Sequence, residues 1–306
     1  MEEVTMVRRA IWVLAVAVCL AMPAAVRAQG DYLDVYIVKV KPEKSTEFQA
    51  LAKKIADANR RNGGDRWMAA EVLYGDGYTF VFTSTRQDYA DVEKSSTDFM
   101  NSLNKAFGKE NADKVFRDWN NCIVSSRSEL RRRRWDLSRK TPADAGAYAK
   151  LIGESRLLRT TAVHVKPGHI AEFEEFMKEA KAAGEKNPNT QPVFVSQVIE
   201  GSSGTTFYVS GLRTSLGGFD KNPTNRDILG EEGYKKFLKI SSDAVETAES
   251  MMLRFSPELS NPPEEVAQVA SDFWHPKQTV AAASPKQKSS AENNKAAEVR
   301  PPSDKP

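Results

Sequence analysis

The stretch VYIVKVKPEKSTEFQAL, Val35 to Leu51, returns as TTAVHVKPGHIAEFEEF, Thr160 to Phe176. In both, residues alternate towards a Lys-Pro pair with the period of a β-strand, and proline stops the strand because it has no N–H for the ladder. Phe48, Leu51, Ala52 and Ile55 then recur at helical spacing. One chain thus carries the same strand, turn and helix start twice.

The correspondence extends downstream. The Gly75–Asp76–Gly77 turn lies opposite the Gly201–Ser202–Ser203–Gly204 loop, and the strand Thr79–Thr83 opposite Thr206–Ser210. Arg86 falls on Arg213, and Gly108 and Gly230 each precede an amphipathic segment. The first segment is marked by Val115, Phe116, Trp119, Cys122 and Ile123, and the second runs from Tyr234 through Val245 to Ala248. Final strands are predicted over Glu129–Trp135 and Met251–Phe255. Each repeat, 32–138 and 157–260, therefore reads as β-α-β-β-α-β, a ferredoxin-like unit within the α+β class. Such a sheet covers one face with helices and leaves the other apolar face bare. Two tandem copies packed sheet to sheet, as a barrel within one chain, would cover both.

The Val38–Lys39–Val40–Lys41–Pro42 run with Glu47–Phe48, and Val163–Gly168 with Glu172–Phe173, resemble the first strand and helix of the dimeric α/β-barrel superfamily. That group includes proteins similar to antibiotic-biosynthesis monooxygenases, stress-responsive barrels and NIPSNAP-like proteins. The resemblance spans most of 32–260 and implies a fold more than an activity. Members include cofactor-independent oxygenases, isomerases and haem enzymes. Single-repeat members dimerise to complete a barrel, which this chain can do internally, so its oligomeric state is left open.

Around the repeats, Arg8 and Arg9, the apolar run Ile11–Met22 and the short residues up to Ala28 read as a signal peptide over 1–28, implying export to a periplasm or the outside. The apolar run is short for a membrane span, so no stable membrane insertion is expected after cleavage. Residues 139–156 read as a linker with a short helix, and 261–276 as a helical extension packed through Val266, Val269, Ala270 and Phe273. From 277 to 306 bulky apolar residues nearly vanish, the composition of a disordered tail.

A formal net charge of +3 over 306 residues gives no electrostatic reason for nucleic acid as a partner. With Cys19 in the signal, Cys122 alone remains and no internal disulfide can form. Its helical face makes it a small buried residue. Three histidines and no clustered cysteines or carboxylates predict no metal site, and no cofactor is expected. Phosphate-binding, dinucleotide and nucleophile-elbow motifs are absent.

His164 is the candidate catalytic side chain. Alternation puts it opposite Val163 and Val165, facing the space between the sheets, with Lys39 at the equivalent place in the first repeat. Together they suit an anion or a proton transfer. The plainer reading is that both sit near strand ends, hydrogen-bonded or solvated, and stabilise the joint. Lys39, Trp67 and Tyr208 are the candidate ligand-binding residues, alongside Tyr78, Phe80 and Phe207, although aromatics on strands are commonly core. Arg131–Arg134 suits either an anion site or a charged edge strand that blocks association, and the edge is favoured.

The function expected is small-ligand or partner binding through the barrel cavity or surface. The alternative is a cofactor-independent monooxygenase-like enzyme acting on a small aromatic substrate. A haem role ranks last. Tandem barrels of the chlorite dismutase type hold iron through a helical histidine of the second repeat, whereas His164 sits on a strand and His169 at a helix start.

Overall fold

A computed structural model describes residues 30–275. The signal-peptide reading over 1–28 and the tail reading over 277–306 lie outside the described residues. Among the described residues eight strands are found: β1 Tyr32–Val40, β2 Met68–Tyr74, β3 Thr79–Arg86, β4 Ile123–Arg133, β5 Leu157–Val165, β6 Phe194–Glu200, β7 Thr205–Arg213 and β8 Val245–Phe255. They close into a barrel in the order β1-β3-β2-β8-β5-β7-β6-β4. Each repeat contributes four neighbours, β4-β1-β3-β2 and β8-β5-β7-β6. The two joints are antiparallel, Leu130–Arg133 with Ser196–Glu200 and Ala70–Tyr74 with Met252–Phe255. Closure consumes the free sheet edges at those joints, which is why the repeats share one hydrogen-bonded barrel.

The helices lie outside it. In the first repeat, α1 Ser45–Asn62, α2 Tyr89–Phe107 and α3 Lys109–Cys122 cover the sheet. The helix α2 goes beyond the single helix predicted after β3. Asp88 caps it by accepting from the Asp91 N–H at 2.9 Å, and Gly108, at φ 75°, breaks the chain before α3. The second repeat has α5 Ile170–Lys186 and α6 Asn225–Asp243, with Gly230 at φ 69° making the matching break. Val245 and Ala248, read from the sequence as the end of α6, belong to β8.

Alternation decides which residues face the helices. Val38, Val40, Phe48, Phe80, Leu103, Val115 and Cys122 form one buried core between sheet and helices. Val163, Val165, Phe173, Phe207 and Ile240 form its counterpart. Phe48 and Phe80 are fully buried with ring centroids 4.9 Å apart, and Phe173 and Phe207 repeat the contact at 5.0 Å. Each such burial stabilises by about 1.5–3 kcal/mol.

One end of the barrel is covered by α4, Ala145–Glu154, and by the short helices α7, Glu264–Ala267, and α8, Ser271–Trp274. Ile152, Val266 and the fully buried Trp274 join Val72, Leu253 and Phe255 there. Among the described residues no helix is long and apolar enough to cross a membrane.

Candidate functional site

Two cavities follow from the two faces of the sheet. The first lies outside the barrel, between β1–β3 and the helices of the first repeat, with a volume of about 340 Å³. Strand residues of even number place Asp34, Tyr36, Phe82, Ser84 and Arg86 on its floor, while Ala52, Ile55, Phe99, Phe116, Trp119 and Asn120 come from the helices. Trp67 closes one side. Six aromatic rings surround the space, with Trp67 edge-on to Phe99 at 5.9 Å and Phe82 tilted against Trp119 at 6.0 Å.

Its charged wall is fixed. Arg86 donates twice to Asp65, at 2.7 Å each, and once to Asp34 at 3.3 Å. Burial works against the Arg86 charge, but the hydrogen bonds and charge of Asp65 outweigh it and hold the guanidinium above its ordinary pKa. Asp34 keeps about a third of its side chain exposed. Three further polar groups border the space, the hydroxyls of Tyr36 and Ser84 and the amide of Asn120.

The second repeat diverges at these positions. Register places Thr161 where the first has Tyr36, Val209 for Phe82, Gly211 for Ser84 and Ser241 for Trp119. Arg213 replaces Arg86 but donates to the Asn222 side chain at 2.6 Å, and burial with the nearby Arg139 charge lowers its pKa.

The second cavity is the barrel interior, about 260 Å³, bounded by odd-numbered residues of β1, β3, β4 and β8 and even-numbered ones of β5 and β7. Tyr208 stands here. Its hydroxyl donates to Glu129 Oε1 at 3.2 Å, and its ring lies 3.4 Å beneath the Arg131 guanidinium. Glu129 also accepts from Arg131 Nε at 2.8 Å and Arg127 Nε at 2.9 Å. Burial pushes the Tyr208 phenol above its ordinary pKa.

The structure distributes the residues singled out in the sequence. His164 and Lys39 sit towards the far ends of β5 and β1. His164 Nδ1 is 2.9 Å from the Thr206 hydroxyl, and Lys39 is ion-paired with Asp76. Neither lines either cavity. Trp67 lines the outer cavity and donates its indole N–H to the Leu259 carbonyl at 2.8 Å. Phe80 and Phe207 are helix-side core, and Tyr78 is exposed in the hairpin. Arg131–Arg133 do not form an edge, because β4 is paired with β1 on one side and β6 on the other. The residues that sequence reasoning missed are Arg86, Tyr36, Phe82 and Trp119 as one pocket wall. The shared Arg86/Arg213 position was the available signal.

A haem group fits poorly. Neither cavity wall holds a histidine, and His169 is half exposed beside Glu172. Among the described residues no group of three or more metal-binding side chains converges.

Solved structures similar in outline include a candidate monooxygenase from Fusobacterium nucleatum subsp. nucleatum, 11% identical over 74% of this chain and 92% of that one, TM-score 0.48. An anthrone oxidase-like protein is 14% identical over 75% and 93%, TM-score 0.47. Chlorite dismutase from Candidatus Nitrospira defluvii in complex with imidazole is 10% identical over 79% and 95%, TM-score 0.43. No family profile and no curated protein matches the sequence.

Proposed function

We propose that this closed eight-stranded barrel binds a small, hydroxylated or carbonyl-bearing aromatic molecule in the outer cavity of the first repeat. The observation that carries this is that Tyr36, Trp67, Phe82, Phe99, Phe116 and Trp119, besides packing on the core, all line one open cavity. Apolar pockets with a few convergent polar groups are the usual form of small-ligand sites. Ring faces would stack on the ligand, and Tyr36, Ser84, Asn120 and Asp34 would meet its oxygen atoms. The Arg86–Asp65 pair keeps that wall rigid before binding.

The test uses 2-naphthol as probe, read by quenching of tryptophan fluorescence. Saturable binding is expected in the protein and its loss in Trp119→Ser, which installs the second repeat's residue. Unchanged binding in that variant would refute the site. An oxygenase reading draws on the same pocket, because Asp34 is its carboxylate with solvent access and one long ionic contact, placed to accept a proton from a phenolic substrate. Oxygen uptake with an electron-rich phenol, abolished in Asp34→Asn while binding persists, would separate catalysis from binding.

We also infer that the protein acts outside the cytoplasm, from the basic, apolar and short-residue segments ending at Ala28. N-terminal sequencing of the exported chain is expected to begin at Gln29. A chain retained in the cytoplasm, starting at residue 1, would sink the inference.

A further inference from the structure

The buried charged side chains facing the barrel interior are two arginines and one glutamate, while Asp76 and Glu249 line the wall from exposed positions. Glu129, Arg131 and Arg133 alternate inward along β4 and are 4%, 8% and 8% exposed. Glu129 answers Arg131, and its remaining contacts go to Arg127 and Tyr208. Arg133 has no carboxylate partner among the described residues. Among the described residues the one hydrogen bond of its side chain runs from Nη2 to the neutral Thr85 hydroxyl at 3.0 Å, and its Nε is buried with no acceptor.

A guanidinium taken out of water without a counter-ion is strongly unfavourable. The fold nonetheless holds it in place between two rings, with the charge 4.9 Å from the Tyr148 centroid and 5.2 Å from that of Trp135. The cavity wall beyond it is mainly aliphatic and aromatic, including Leu33, Val81, Leu158 and Phe255. At the opposite end the wall reaches Asp76 and Arg127, whose side chains are more than half exposed, so the space meets solvent there.

The geometry points to a second ligand site in the barrel interior: a small monocarboxylate with an apolar body, its carboxylate on Arg133 and Thr85 at the covered end. Planar guanidinium geometry matches a carboxylate bidentately, and Arg133 has free donors to do so. The Thr85 hydroxyl already accepts from Arg133 and can donate its own proton to the incoming oxygen. The volume suits a chain or ring of modest size and excludes a diacylated lipid. This site lies on the opposite face of the sheet from the aromatic pocket and does not depend on it.

Isothermal titration of the purified protein with octanoate and benzoate tests the site, with octan-1-ol as the neutral counterpart. One carboxylate per chain is expected, with the alcohol at least about tenfold weaker, the span of a charge-assisted hydrogen bond. Arg133→Met should weaken octanoate about tenfold to a hundredfold. Without ligand it should melt no lower than the parent, since it removes an unpaired buried charge. Arg133→Lys, which keeps the charge and loses the fork, should fold and bind in between, and it decides the matter if Arg133→Met does not fold. Trp119→Ser should leave octanoate binding unchanged. No carboxylate binding, equal binding in Arg133→Met or Arg133→Lys, or loss in Trp119→Ser would each overturn the proposal.

Discussion

The Arg131 guanidinium lies 3.4 Å above the Tyr208 ring, and this contact spans the seam between the repeats. Arg131 belongs to β4 of the first and Tyr208 to β7 of the second, with Glu129 accepting from both. A duplicated chain thus joins its halves by a polar cluster inside the barrel as well as by the backbone ladders of β4 with β6 and β2 with β8.

Removing Glu129 leaves two buried donors around an empty place. Glu129→Ala is expected to destabilise the fold by about 3–5 kcal/mol, the cost of breaking a buried pair from one side. Glu129→Gln, which keeps an acceptor for Tyr208 and loses the charge, should cost less. Urea midpoints of both variants check this, and equal midpoints for parent and Glu129→Ala would show that the cluster contributes nothing.

The C-terminal extension is held by Trp274, whose indole donates to the Gly153 carbonyl at 2.9 Å and whose ring packs 5.7 Å from Phe255. Trp274→Ala should cost about 3–5 kcal/mol in thermal or denaturant unfolding. Gly153 has no space for a side chain, since a Cβ there would lie 2.6 Å from the Val266 carbonyl oxygen. Gly153→Ala should therefore loosen the same joint, seen as faster proteolysis after residue 260. Parent-like cleavage would count against it.

Much of the barrel was legible because both repeats carry the same period-2 strands and Lys-Pro stops, and because a bare ferredoxin-like face demands cover. The helix α2 was not. Its buried side includes Ser95 and Ser102, which dilute the apolar period that announces α3. The edge reading of Arg131–Arg134 failed for a different reason. The neighbour that buries β4 is β6, more than sixty residues onward, and such pairing leaves no local trace. The pocket walls suffered likewise: Trp67 precedes Met68–Ala69–Ala70, a run without polar alternation to show which face it takes.

Strong acid should weaken the Arg134–Asp136 contact that follows β4. Arg134 donates to Asp136 at 2.7 and 2.9 Å and is ion-paired with Glu174 on α5. The Arg134 hydrogen bond holds the Asp136 carboxyl below its ordinary value. A carboxyl with a depressed folded pKa contributes stability above its unfolded value, about 3.9, and loses it as pH falls through the folded one. Stability of the parent should therefore fall more steeply than that of Asp136→Asn below about pH 4. Parallel pH curves from denaturant titrations would remove Asp136 from the account.

The Arg86–Asp65 pair makes the firmest prediction about the aromatic pocket. Both oxygens of Asp65 are engaged, and Asp65 also fixes the chain entering β2 through the Asn261 amide, which donates to its carbonyl at 2.6 Å. Asp65→Ala leaves a guanidinium that is 6% exposed with the long Asp34 contact as its remaining ion pair, and should cost about 3 kcal/mol. Arg86→Met alone should cost less, because Asp65 retains partial access to water. Combining them should give less than the sum of the two, since the stranded charge is gone, and the cycle reads that coupling directly. Strict additivity in urea unfolding would mean that the pair acts only as two independent surface charges. In the same variants 2-naphthol affinity should fall with Asp65→Ala, because the freed Arg86 can then swing into the space the ligand occupies.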